Sequence, residues 1–151
     1  MATEAEHIAH ANRTQKTIAY LLKDTATHSP WIVAAAFYKA LHVIEAAFFN
    51  NKQILHTSTH GGRESALKGA KAYSHIYSHY KPLQMTADNA RYLTSCDSFD
   101  DYLSPQNVES KVLRHYLKRI ETSALVFLAD PTALVGIDTA FGANPKGTKG
   151  A

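Results

Sequence analysis

The sequence predicts an all-α protein, an up-and-down antiparallel bundle of four long helices and one short one. Three observations predict it. Apolar residues recur three and four apart through most of the 151 residues, the pattern of helices that bury one face. The pairs Ser29–Pro30 and Ser104–Pro105 read as helix starts, because serine caps and proline suits the first helical position. No stretch alternates apolar and polar residues as a half-buried strand would. Short connections then favour antiparallel neighbours.

Residues 3–24 form the first expected helix, with Ile8, Ala11, Gln15, Ile18, Ala19 and Leu22 on one face and Arg13, Lys16 and Lys23 opposite. After the break DTATHSP, the second helix runs from Pro30 to about residue 51 and organises the rest. Ala34, Phe37, Tyr38, Leu41, Ile44 and Phe48 crowd one side of it, and Lys39 and Asn50 mark the other. So wide an apolar arc places this helix mid-bundle. Glu45 falls inside the arc and His42 on its edge. A buried carboxylate needs a partner.

The loop 52–62 contains QILHTSTHGG and closes on two glycines, with Thr59 or His60 at the N-terminus of a third helix, 62–79. Ala66, Ala70, Tyr73, Ile76 and Tyr77 face inward there, and Glu64, Lys68, Lys71, His75 and His79 face water. Arg63 points to the apolar side of the first turn, where the helix dipole disfavours a cation. A specific partner is expected for it. A connector with Pro82 spans 81–85, Thr86 caps a short helix to about residue 93, and 96–102 is an acidic loop. The last helix runs from Ser104–Pro105 to about residue 130, with Val108, Val112, Tyr116, Ile120, Ala124 and Phe127 as its stripe. Pro131 ends it, so a bundle domain of 1–130 is followed by a flexible tail, 131–151.

Hydrophobic content of 45% and charged content of 19% suit one globular domain. No apolar run reaches the roughly 18 residues of a membrane span, and the polar N-terminus lacks a secretion signal. The lone Cys96 allows no internal disulfide. A cytoplasmic protein is expected. Its net charge of +3 is compatible with nucleic acid. Nine histidines are many for this length and point to metal, acid–base chemistry or pH sensing, although most are expected on solvated faces.

The run WIVAAAFYKALHVIEA, the loop THGGRESAL, a tyrosine-rich helix and the element ARYL together resemble the HEPN domain superfamily. The resemblance covers about residues 30–93. It implies a helical bundle, frequently dimeric, in RNA metabolism, defence or toxin–antitoxin pairs. Many such proteins are metal-independent ribonucleases with an Arg, a polar residue and a His four to six positions after the Arg. Here Arg63 and Glu64 are followed at 67–69 by Leu67, Lys68 and Gly69, so that motif is not matched.

Helical phase puts Glu45 and Arg63 on apolar faces of adjacent elements, and a bidentate pair of Glu45 with Arg63 or Arg91 would satisfy both groups. For catalysis, Arg63 would stabilise phosphate, His60 or His56 would act as acid–base, and Glu45 would orient Arg63. The stripe Lys111, Arg114, His115 and Lys118 can track a phosphate backbone, and Arg91 joins Lys111, Arg114 and Lys118 as an expected RNA contact. No metal or other cofactor is expected. His42 and Glu45 reverse the Glu-x-x-His order of di-iron bundles, and His75 and His79 lie on a wet face. The expected partners are RNA, a second copy of the chain in a homodimer and a cognate partner protein, with no membrane. The competing readings are a non-catalytic dimerisation scaffold and, more weakly, a metal-binding bundle.

Overall fold

The computed structural model describes residues 1–54, 56–92 and 103–142. The expected acidic loop at 96–102 and the end of the tail, 143–151, lie outside the described residues. The fold is an all-α bundle with no strand among the described residues. Helix α1 is Glu4–Leu21, α2 is Thr25–Phe49, α3 is His60–Gly69 and α4 is Ser74–Tyr92. Helix α5 is continuous in three pieces: Pro105–Asn107, a π-wound Val108–Leu117, and Lys118–Ala124. Short 3₁₀ turns follow at Leu125–Phe127, Pro131–Ala133 and Ile137–Phe141.

Neighbouring long helices run antiparallel. His7 meets His42 and Gln15 meets Lys39, so α1 and α2 run in opposite directions. Tyr73 packs on Phe48 and Tyr80 on Phe37, reversing direction again into α4. His79 touches His115 and Tyr73 touches Phe127, which reverses it once more into α5. Helix α2 is therefore flanked by α1, α4 and α5. Its residues Val33, Phe37, Ala40, Val43, Ile44 and Ala47 are all at most 2% exposed. The run Glu4–Phe49 contains a window of mean hydropathy 1.6, long and apolar enough by composition to cross a membrane. That window is 72% buried inside the fold, as a helix packed on several sides requires.

Local chemistry accounts for the helix ends. Thr3 caps α1 in a reciprocal box with Glu6. Helix α2 begins at Thr25, not at Pro30, because the Asp24 carboxylate accepts from the Thr27 N–H at 3.2 Å. The Ser29 hydroxyl donates to the Thr25 carbonyl at 2.7 Å instead of capping, and Pro30 stays inside the helix. The expected Ser104–Pro105 start is found, with Ser104 Oγ accepting from the Asn107 N–H. The expected helix 62–79 breaks at Ala70, which is extended (φ −128°, ψ 123°) directly after Gly69. The expected connector at 81–85 is instead the middle of α4. There Tyr80, Leu83 and Ala87 bury fully, and this packing outweighs the helix penalty of Pro82.

The first part of the expected tail is packed. Asn12 exchanges hydrogen bonds with Ala133 and Val135 at 2.8 Å each, and Ile137 is fully buried. Its anchor is Lys39, expected on the wet side of α2 but fully buried. Lys39 Nζ pairs with Glu121 and donates to Gln15 Oε1 at 2.6 Å and to the Val135 carbonyl at 2.8 Å. Glu121 in turn accepts from the Ile137 N–H at 2.8 Å. Burial pushes the Lys39 ammonium pKa down and the Glu121 carboxyl pKa up, and their mutual attraction opposes both shifts.

Candidate functional site

Thr59 positions the loop at the head of α3, its hydroxyl accepting from the Gly62 N–H at 3.0 Å. A Cβ on Gly62 would stand 3.0 Å from that same oxygen, so a side chain there would push against the capping hydroxyl. This cap turns Arg63 inward, where it is 4% exposed. Arg63 Nε donates to Glu45 Oε1 at 2.9 Å, Nη2 to the Thr57 carbonyl at 3.4 Å, and Nη1 lies 3.5 Å from His60 Nδ1. Thr57 holds Glu45 from the other direction, through its hydroxyl to Oε1 and its N–H to Oε2 at 3.3 Å. His56 Nε2 stands 3.8 Å from Glu45 Oε2.

The four residues expected at a catalytic site, Glu45, His56, His60 and Arg63, thus meet in space. Of the two arginines considered as partners of Glu45, the structure selects Arg63. Arg91 instead ion-pairs with Asp88 at 2.8 Å and donates to the Tyr38 hydroxyl at 3.3 Å. Its guanidinium lies 5.3 Å from the ring centre of Phe37, 5.7 Å from Tyr38 and 5.2 Å from Tyr92. Trp31, Pro30, Ala34, Ala90 and Arg91 share a small recess beside it. The Phe37 ring also lies 5.5 Å from the His60 ring.

The basic stripe on α5 is exposed but partly engaged. Lys118 pairs with Asp138, and Arg114 sits 3.8 Å over the Phe141 ring, so the turn Ile137–Phe141 covers part of it. Lys111 is exposed.

Sequence reading missed the side of the site that α1 supplies. His7 is buried, and its Nδ1 lies 3.0 Å from His42 Nδ1. The His7 ring stacks on His56 at 5.3 Å, and His10 stacks on His42 at 4.9 Å. The four imidazoles of His7, His10, His42 and His56 therefore form one connected cluster, with His7 and His56 beside Glu45. The available signal was the spacing of His7 and His10, three apart on one helical face. What the sequence lacks is their distance partner, 35 residues on. Burial, reinforced by the neighbouring His7 and His10 charges, lowers the His42 pKa to about 4. Burial also lowers that of His7. His7, Glu45 and His56 each offer a ligand atom, and these atoms lie within 4.8 Å of one another. His79 Nδ1 lies 2.8 Å from the His75 carbonyl, and the His79 ring meets His115 edge-on at 5.1 Å.

No protein-family model, curated protein or solved structure matches the chain.

Proposed function

We propose that this chain is an RNA-binding, HEPN-like bundle that takes up single-stranded RNA on the face built around Arg91. One observation carries the reading: a guanidinium within 5.7 Å of three aromatic rings, two of them exposed, Tyr38 at 47% and Tyr92 at 67%. Exposed rings interleaved with arginine are what unpaired bases stack on. Trp31, 68% exposed, extends the platform across the recess. The HEPN resemblance supplies the setting: a cytoplasmic protein of RNA metabolism, defence or toxin–antitoxin type. Binding is favoured over cleavage at Arg63, because that guanidinium is buried and committed to Glu45.

A second reading draws on the same exposed rings. Clustered apolar exposure also marks protein interfaces, and Trp31 and Tyr38 suit a homodimer or a cognate partner protein. Fluorescence anisotropy of a labelled mixed-sequence single-stranded RNA, beside sedimentation of the protein alone, separates the two. RNA binding weakened about tenfold or more by Arg91→Ala or Tyr38→Ala supports the platform. No RNA binding, with a dimer that Trp31→Ala dissociates, supports the scaffold.

A further inference from the structure

We propose that His7, Glu45 and His56 form a site for a divalent transition metal, with zinc the ion whose chemistry they fit best. The inference is independent of the RNA platform, which shares none of these residues. The three ligands come from α1, α2 and the loop before α3, and the fold alone brings them together. Two imidazoles and one carboxylate are a donor set that zinc takes with a fourth position left open.

Four observations support the assignment. First, the ligand atoms already lie within 4.8 Å of one another. Second, His7 is 5% exposed, and its Nε2 has no hydrogen-bond partner. A buried polar nitrogen left bare is costly, and a metal would satisfy it. Third, the ligands are held from behind. His7 Nδ1 faces His42 Nδ1 at 3.0 Å, while Glu45 Oε1 accepts from Arg63 and Thr57. Oε2, which also accepts from the Thr57 N–H at 3.3 Å, lies on the His56 side, 3.8 Å from its Nε2. Outer partners of this kind fix the tautomer and orientation of metal ligands. Fourth, a cavity of about 200 Å³ borders Glu45 and His56 and provides an entry path.

Bonds of about 2.0–2.2 Å in a tetrahedral site place donors about 3.3–3.6 Å apart, so the cluster must contract on binding. His56 is the ligand that can move, because its side chain is 34% exposed and sits on a loop. Metal binding would therefore draw the loop onto α1.

The test uses the full chain, stripped with chelator and dialysed, then titrated with zinc chloride by calorimetry. Cobalt(II) absorption reports the coordination geometry in parallel. The expected result is one saturable site per chain, weakened about 100-fold or more by His56→Ala and unchanged by the double variant His75→Ala/His79→Ala. Histidine-ring NMR of the wild type should show the His7 Nε2 resonance shift with zinc. That readout stands even if His7→Ala fails to fold, and the loop position of His56 makes its variant the primary one. Absence of saturable binding in the wild type overturns the proposal. So does zinc affinity that His56→Ala leaves intact.

Discussion

Arg63 Nε meets Glu45 Oε1 at 2.9 Å with both side chains at most 4% exposed. This contact joins α3 to the middle of α2 and fixes the loop between them, since Thr57 binds the same carboxylate. Removing one member leaves the other buried and unpaired. Glu45→Ala is therefore expected to lose about 3–5 kcal/mol in denaturant unfolding. The double change Glu45→Leu with Arg63→Met should recover much of that loss, because no bare charge remains. A Glu45→Ala loss below about 1 kcal/mol would mean that the carboxylate is solvated.

The Lys39–Glu121 pair makes a parallel case with a different consequence. It ties α2 to α5 and holds the segment around Val135 and Ile137. Lys39→Met alone should cost about 3–5 kcal/mol by stranding Glu121. Lys39→Met with Glu121→Leu should cost clearly less than the sum of the two single changes. A double-mutant cycle measures this coupling, and additive single effects would show that the two groups do not interact.

How much of this could be read beforehand differs by residue. The inward phase of Glu45 and Arg63, and so their pairing, was legible because helical periodicity fixes side-chain direction. Lys39 was misplaced by the same method. Periodicity ranks faces by polarity, whereas the exposed face of α2 carries Trp31 and Tyr38 and its buried side holds Lys39. The helix breaks were missed where packing or a single cap outweighed propensity: Asp24 moved the start of α2, and the buried ridge of Tyr80, Leu83 and Ala87 carried α4 through Pro82. His7 joined the site through the antiparallel pairing of α1 and α2, whose register no local pattern specifies.

The depressed pKa of His42 gives the metal-free protein an acid-labile stability term. His42 is held at about 4 in the fold, against 6.5 when unfolded. Above 6.5 the ring is neutral in both states. As pH falls from 6.5 through 4, the unfolded chain binds a proton that the fold resists, so stability declines across that window. The full difference corresponds to about 3 kcal/mol, and partial exposure of the ring reduces it to about 1–2 kcal/mol. Unfolding free energies measured with chelator from pH 7 to pH 4 should fall less steeply for His42→Gln than for the wild type. Parallel curves for the two proteins would remove His42 as a source of the slope.

Two buried tyrosines on the same ridge should respond oppositely to loss of a hydroxyl. The Tyr73 hydroxyl accepts from Asn51 Nδ2 at 2.8 Å. The Tyr80 hydroxyl is buried with no hydrogen-bond partner. Burial raises its pKa, and the nearby Arg63 guanidinium opposes this. Tyr73→Phe is expected to cost about 0.5–1.5 kcal/mol, the net value of one lost hydrogen bond. Tyr80→Phe removes an unsatisfied group while keeping the ring packed against Phe37 at 5.8 Å. It should be neutral or stabilise by up to about 1 kcal/mol. Thermal and denaturant unfolding of both variants decides the matter. A Tyr80→Phe loss above about 1 kcal/mol would mean that the hydroxyl pairs with Arg63 in solution, placing Tyr80 in the Glu45 network.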